Sequence, residues 1–433
     1  MEGVAPGGDE RRRDLVRLSG RVVHRVMREE DPVQWHRLLS YAYLNGARGE
    51  CLCRGNGHPL PMSVVKAGKS LTLRRMPYGG PDHHPGCDSH GPDIVGGGRT
   101  HALPAIRATE AGLIDVKIDA PMSSRVDDRG AASESNSASS RPTRLGMSRS
   151  EVTVLGFLHI LWETAGLNRW HPETGVGGTR RLGAVHARLE EALGGMSVNG
   201  RPCTQTTFVP TAMMTADAMI QRAALMVQKY SALQEAAAQG EKPILLVIAE
   251  ALRIFPGRYD IGLTVKGFPE AIWIRGDRYK RLSNSWPTEV RSLAPVEGRD
   301  PAPGKTMVIA GIQVSEKGKL NWVYGALMAT NDNFIPVDSG HERAVADALI
   351  RQRREFAKPL RYTGNEATHP DFILTDTQPE VTMEVFGMDT PEYLHRKQQK
   401  VDYYRNEGRS LWVWNAAQTG EGMPAFPLAT AAA

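Results

Sequence analysis

The sequence is poor in the features that would settle its class at once. Only four cysteines occur in 433 residues, which argues against a disulfide scaffold and for a reducing compartment. The longest apolar runs, Val152–Trp162 and Pro243–Ala249, are too short to span a bilayer. The N-terminal stretch from Met1 to Arg13 carries no apolar segment of the signal-peptide kind. A cytoplasmic protein without a membrane partner is the expectation. There is also no Walker loop, no dinucleotide glycine fingerprint and no His-Glu-x-x-His helix, so three common routes to catalysis are closed.

What is present is ordinary in bulk and informative in detail. Apolar residues make up 41% and charged residues 23%, with a net charge of +5 that permits nucleic-acid binding without requiring it. The length suits several domains with real cores. The patterning divides the chain into an N-terminal helix and candidate zinc module (1–120), a disordered polar linker (121–149), a helical domain (150–240), a β-rich region (241–336), a C-terminal α/β core (337–418) and a frayed tail (419–433). The fold class expected is multidomain α+β.

In the first segment, the spacing of Leu15, Leu18, Val22, Val23 and Val26 predicts a basic amphipathic helix over 11–28. Cys51-Leu-Cys53 precedes the alternating stretches 62–65 and 70–76, a β-hairpin across Lys66-Ala-Gly-Lys69. The chain then reaches His83, His84 and Cys87. Cys51, Cys53 and Cys87, with His84 preferred over His83 as the fourth ligand, make a candidate tetrahedral zinc site. Four protein ligands leave no open position, so such a site is structural. Three unrelated thiols are the alternative, and Cys203 has no partner motif.

The linker is low in complexity and lacks the apolar residues needed to fold. Segment 150–240 reads as helices at 151–165, 182–193 and 212–238, a plain bundle in preference to a winged helix. Segment 241–336 reads as strands punctuated by glycine.

Near the C-terminus, Glu342 lies in the amphipathic run 341–350 and Asp371 opens the strand-like 369–374. Glu384 interrupts the apolar strand 381–386, and Lys397 and Lys400 sit on a charged helix that ends at Gly408. A lone carboxylate in an apolar strand is costly without a cation. Solvent-facing or turn roles remain the alternative for Glu342 and Asp371.

The order helix(Glu)–strand(Asp)–strand(Glu)–helix–strand over His341–Asn415 resembles the PD-(D/E)xK, or restriction-endonuclease-like, nuclease core. The resemblance implies that Asp371, Glu384 and the Val385 carbonyl bind Mg²⁺. Glu342 would orient water or a second ion, and Lys397 or Lys400 would replace the usual lysine, whose position holds Phe386. A metal-dependent nuclease acting on DNA is the function implied. The alternative is a catalytically silent nucleic-acid-binding protein with a structural zinc site. More broadly, Cys51-Leu-Cys53, Arg74-Arg-Met-Pro77, His84 with Cys87, Leu158–Glu163 and Phe334–Val337 before Glu342 resemble an uncharacterised bacterial domain-of-unknown-function family. That family is typical of integrative and conjugative elements, which implies a mobile-element setting.

Overall fold

The computed structural model describes residues 14–55, 57–67, 70–75, 83–84, 87, 89, 106–108, 114–125, 152–173, 179–210, 216–294, 303–360, 370–387, 391–417 and 422–430. It is a mixed α+β structure with several sheets. No helix among the described residues is long and apolar enough to cross a membrane.

The N-terminal unit contains β1 (Leu15–Leu18), β2 (Arg21–His24), α1 (Met27–Glu30), α2 (Pro32–Leu44), β3 (Gly49–Cys51), β4 (Leu60–Ala67) and β5 (Ser70–Arg75). Its strands form an antiparallel sheet in the order β2-β1-β3-β4-β5. The helix expected over 11–28 is instead the β1–β2 hairpin. Ser19 and Gly20 both take positive φ, +51° and +79°, which suits the two-residue turn that joins twisted strands. Val16 and Leu18 then alternate into the core, while Val22 stays 49% exposed. The β4–β5 hairpin runs in the register Ala67↔Ser70 through Met62↔Arg75. Asp31 caps α2 by accepting the Gln34 N–H at 3.0 Å, with Pro32 in the first turn.

The next stretch supplies β6 (Ile106–Ala108), β7 (Ile114–Val116), β8 (Ser123–Arg125), α3 (Val154–Thr164), β9 (Arg169–Trp170) and α4 (Leu182–Leu193). It continues with β10 (Met196–Val198), β11 (Arg201–Pro202), α5 (Cys203–Thr206), β12 (Thr207–Phe208), α6 (Ala216–Glu235) and β13 (Glu241–Pro243). The expected linker does not begin at 121, because β8 pairs with β13; positions 126–150 lie outside the described residues. Nor do the helices of 150–240 make a bundle of their own. Their intervening strands are shared out: β10 pairs in parallel with β7, β12 with the barrel below, and β9 with the C-terminal sheet. Thr153 caps α3 by accepting the Gly156 N–H at 3.0 Å.

A five-stranded barrel follows: β14 (Leu245–Pro256), β15 (Ile261–Val265), β16 (Ile272–Ile274), the helices α7 (Gly276–Ser285) and α8 (Pro287–Leu293), then β17 (Lys305–Val314) and β18 (Leu320–Thr330). The ladder runs β14-β15-β16-β18-β17 and returns to β14, with β16–β18 the parallel pair of the ring. Strand β14 is apolar on both faces because both are covered. Leu245, Val247 and Ala249 join the barrel interior with Leu263, Ile272 and Trp322. Leu246 and Ile248 face Phe157, Leu161 and Trp162 of α3 on the outside. Trp162 is fixed there by its indole N–H, which donates to the Phe334 carbonyl at 3.0 Å.

The C-terminal unit comprises α9 (Gly340–Arg351), β19 (Phe356–Ala357), β20 (Phe372–Leu374), β21 (Val381–Phe386), α10 (Pro391–Asn406) and β22 (Ser410–Asn415). Its sheet is ordered β22-β21-β20-β19-β9, parallel between β21 and β22 and antiparallel between its other neighbours. Val345, Leu349, Phe372, Met383 and Trp412 share one core. The tail is not frayed over 422–430. The Trp412 indole donates to the Ala425 carbonyl at 3.1 Å, and Phe426 packs on the Trp412 ring. Arg354 is buried, forms a two-pronged pair with Asp376 (2.7 and 2.8 Å), and donates to the Pro427 carbonyl at 2.6 Å. Removing one member of such a pair strands a buried charge. Asp376→Ala is therefore expected to lower stability by about 3–5 kcal/mol, read from the denaturant midpoint of the C-terminal unit; an unchanged midpoint would contradict the role given to this pair.

Candidate metal centre and acidic site

Two clusters of chemistry-bearing side chains stand out, one at each end of the chain. The first gathers Cys51, Cys53, His83 and Cys87, whose ligand atoms all lie within 4.8 Å of one another and are buried. Cys51 ends β3, where pairing with Val16 of β1 fixes its position. Cys53 sits in the turn that follows, in which the Gly55 N–H donates to the Leu52 carbonyl. His83 and Cys87 return from beyond β5, and the Cys87 N–H donates to the His84 carbonyl.

The spacings are those of a tetrahedron. Cys51 and Cys87 sulfurs are 3.6 Å apart, and His83 Nδ1 lies 3.4 Å from Cys53 Sγ and 3.8 Å from Cys87 Sγ. Zinc bonds of ordinary length require edges of about 3.8 Å between sulfurs and about 3.6 Å from sulfur to nitrogen. Backbone N–H groups of His84 and Ser89 point at Cys53 and Cys87 sulfurs at 3.4 Å, and the Arg25 guanidinium reaches Cys51 Sγ at 3.7 Å. These donors favour thiolates. Hydrogen bonds from Cys53 and Cys87 pull the Cys51 thiol down, whereas burial pushes the Cys87 thiol up. The four residues could hold a metal such as zinc. The imidazole in the set is His83, 1% exposed, not the expected His84. His84 contributes its backbone N–H instead. Two adjacent histidines cannot be told apart by spacing alone, because the turn decides which ring faces inward.

The second cluster lies on the C-terminal sheet. Phe372 pairs with Met383, so Asp371, one residue earlier, stands across from Glu384. Both acids therefore share one sheet face. The Val385 N–H donates to Asp371 Oδ2 at 2.7 Å. Val381, Met383 and Val385 pack into the core that includes α9, which turns Glu384 to the opposite side, towards α10. There Lys400 Nζ contacts both of its oxygens at 3.1 and 2.9 Å, and the Tyr404 hydroxyl donates to Oε1 at 3.0 Å. Of the two expected lysines, Lys400 is thus placed at the acid; the Lys397 side chain lies outside the described residues. Phe386 is buried, 4% exposed.

Glu342 is held differently. Ser339 caps α9 by accepting the Glu342 N–H at 3.1 Å, and Glu342 Oε2 accepts the Asp338 N–H at 3.0 Å, a variant of the reciprocal cap. The same oxygen receives Lys358 Nζ at 2.6 Å, and Lys358 also reaches Asp338 at 2.9 Å. Burial pulls the Lys358 ammonium down, but Glu342, Asp338 and Asp371 outweigh it and hold it above its ordinary value. Lys358 is a residue that sequence reasoning missed. A lysine flanked by Phe356-Ala357 and a proline carries no local signal of burial; the carboxylates that stabilise it are distant in the chain. Tyr404 falls four residues after Lys400, on the same face of α10.

Four carboxylates, Asp338, Glu342, Asp371 and Glu384, face two ammonium groups, Lys358 and Lys400. The excess of negative charge is felt at Glu384. Burial, then the Asp371 charge, push it up to about 7, against the opposing pull of Lys400 and Tyr404. Among the described residues, these acids are not drawn to the close mutual spacing of the cysteine cluster. Oxygen donors on adjacent strands nevertheless suit a hard divalent cation that keeps most of its waters.

Two outcomes follow from this geometry. Purified protein is expected to carry about one zinc per chain by ligand count, lost in Cys53→Ser and His83→Ala and retained in His84→Ala. Metal analysis reads this directly, and the reverse pattern for the two histidines would sink the assignment. For Glu384, the folded form keeps its proton between the unfolded value of 4.5 and about 7, so its contribution to stability is present below 4.5 and lost as pH rises through 7. Glu384→Gln lacks that loss. Its melting temperature relative to wild type is expected to rise from pH 5 to pH 8, and a constant difference would contradict a raised Glu384.

The chain belongs to the DUF1173 family: the family model, described as a protein of unknown function, matches residues 21–417. No curated protein matches it.

Proposed function

We propose that the C-terminal unit is a Mg²⁺-dependent phosphodiesterase of the PD-(D/E)xK type acting on DNA, in the cytoplasm and in the setting of a mobile genetic element. The observation that carries this reading is the cross-strand pair Asp371–Glu384 with Lys400 from the next helix at Glu384. A helix, antiparallel strands bearing two acids, a second helix bearing the cation and a parallel last strand are what that nuclease core requires. Asp371, Glu384 and the Val385 carbonyl would hold the ion. When bound, Mg²⁺ neutralises charge at a scissile phosphate and lowers the pKa of a water.

The remaining work falls to the chain's own groups. Lys400 is 31% exposed at its side chain, so it can reach solvent while touching a buried carboxylate. The Lys400 ammonium, which reaches Glu384 from α10, would position the attacking water or stabilise charge developing on the phosphate. The Tyr404 hydroxyl keeps the Glu384 oxygens aimed. The Lys358–Glu342 pair fixes the start of α9 beside Asp371 and supplies a constant positive charge there. Glu342 is then a positioning group, not a second ion's ligand.

The second reading is a silent nuclease fold that only binds nucleic acid. It is favoured by Phe386 at the usual lysine position and by Lys400 and Tyr404 already satisfying Glu384. Under either reading, the cysteine cluster holds a structural zinc.

The test is cleavage of supercoiled plasmid and short single strands with added Mg²⁺ or Mn²⁺. Asp371→Ala and Glu384→Ala are expected to abolish cleavage, and Lys400→Ala to reduce it about 10²–10³-fold, in the range seen when one preorganised electrostatic donor is lost. Cleavage that survives both acid variants, or that needs no divalent cation, would remove the phosphodiesterase reading and leave the binding one.

A further inference from the structure

The outer face of the barrel carries a set of residues that the C-terminal chemistry does not use. Phe255, Gly262, Trp273 and Asn321 form one cross-strand row through β14, β15, β16 and β18. Their neighbours in sequence, Ile254, Leu263, Ile272 and Leu320, point into the barrel core, so this row faces out. Glycine is what lets the rings lie down. A Cβ at Gly262 would fall 2.4 Å from the Phe255 ring, and one at Gly257 would fall 2.5 Å from the Trp273 ring. The two rings meet edge to face with centroids 5.8 Å apart.

Cations surround them. The Arg253 guanidinium stands 6.0 Å from the Phe255 centroid and Lys319 Nζ stands 5.2 Å from the Trp273 centroid. Arg258 lies over Tyr259, itself 81% exposed, at 5.1 Å. Arg253 lies near the end of β14, and the others come from the two loops that flank the row, 257–260 between β14 and β15 and 315–319 between β17 and β18. Asp260 links the loops by pairing with Lys319 at 2.7 Å, and among the described residues no carboxylate pairs with Arg253 or Arg258. Flat aromatic rings with long, movable cations beside them match the two halves of a nucleotide: a base stacks on a ring, and a guanidinium or ammonium takes the phosphate. A neutral oligosaccharide would use the rings but not the cations. Five-stranded Greek-key barrels offer the corresponding surface, the second and third strands with the loops after the first and fourth, to oligonucleotides.

We infer that this face, built on Phe255 and Trp273 with Arg253, Arg258 and Lys319, is a binding site for single-stranded nucleic acid. It is separate from the acidic site and does not depend on the phosphodiesterase reading. A base stacks on each ring as Arg253 and Lys319 swing from the ring faces to the backbone phosphates.

The test is fluorescence anisotropy of a labelled 20-nucleotide oligothymidylate with the full chain and no added divalent cation, so that cleavage plays no part. An oligouridylate and a duplex of equal length are run in parallel. The wild type is expected to bind the single strands more tightly than the duplex, with affinity falling as salt rises. Phe255→Ala and Trp273→Ala are each expected to weaken binding about tenfold, while Trp273→Phe, which keeps a stacking face, stays close to wild type. Arg253→Glu with Lys319→Glu leaves the barrel core untouched, and is expected to weaken binding and flatten the salt dependence. The proposal fails if Phe255→Ala and Trp273→Ala bind as the wild type does. It fails equally if the charge reversals change nothing, if duplex is preferred, or if neither single strand binds at about 50 mM salt. DNA and RNA are distinguished by the relative affinity of the two single strands.

Discussion

Glu384 sits with 1% exposure in a strand whose every residue is buried, and a carboxylate there must be answered by positive charge or by a proton. The C-terminal unit is arranged around that requirement. Antiparallel pairing of β20 with β21 sets Asp371 opposite Glu384, which worsens the electrostatics instead of relieving them. The parallel return of β22 after α10 brings Lys400 and Tyr404 over the same face. On the neighbouring edge Lys358, itself buried, ties Glu342 and Asp338 together and adds a fixed positive charge near Asp371. A strand that only had to pack would carry an apolar residue at 384. Replacing buried ion pairs by well-packed apolar residues is often neutral or stabilising, so stability alone does not account for a carboxylate at this position.

The N-terminal unit meets a different constraint. Its five short strands and α2 enclose a small core centred on Val16, Leu18, Leu39, Met62 and Leu73, and three of its buried side chains are thiols. Small cores gain from a cross-link, and a metal held by Cys51, Cys53, His83 and Cys87 would fasten β3 to the segment beyond β5. Arg28 pairs with Glu191 at 2.7 Å, which sets this unit against α4. The barrel between the two ends is the most extensive β structure in the chain. Leu246 and Ile248 are apolar on the outer face because α3 covers it there, and the half-buried row of Phe255 and Trp273 lies on outer surface with no α3 contact shown.

Much of this was legible where local chemistry and fold agree. The β4–β5 hairpin follows from alternation, and α4 spans the expected 182–193 because its apolar positions repeat at helical spacing and glycine follows. Glu384 falls on β21 as anticipated, among β-branched and aromatic neighbours, whereas Asp371 stands just before β20, its N–H donating to the Met383 carbonyl. The failures share a cause, which is that non-local contacts decided the outcome. Over 11–28 the apolar spacing suits a helix, but Ser19-Gly20 at positive φ and pairing with β3 make a hairpin. His83 and His84 differ only in which ring the turn directs inward. Lys358 needs acids from α9 and from the preceding loop, and closure of the barrel needs β14 to pair with a strand some fifty residues on. The tail finds its place through Arg354 and Trp412, contacts that composition does not reveal.

The central claim is that Asp371 and Glu384 form a site for a divalent cation, with Lys400 standing in until the ion arrives. The most direct measurement is a crystal of the protein soaked in Mn²⁺ and examined for anomalous scattering. The account predicts a peak within about 2.0–2.3 Å of oxygens from both carboxylates, in keeping with small hard cations, and Lys400 Nζ moved away from Glu384. A peak elsewhere, or none with Lys400 and Tyr404 still closed on Glu384 at saturating Mn²⁺, would contradict it.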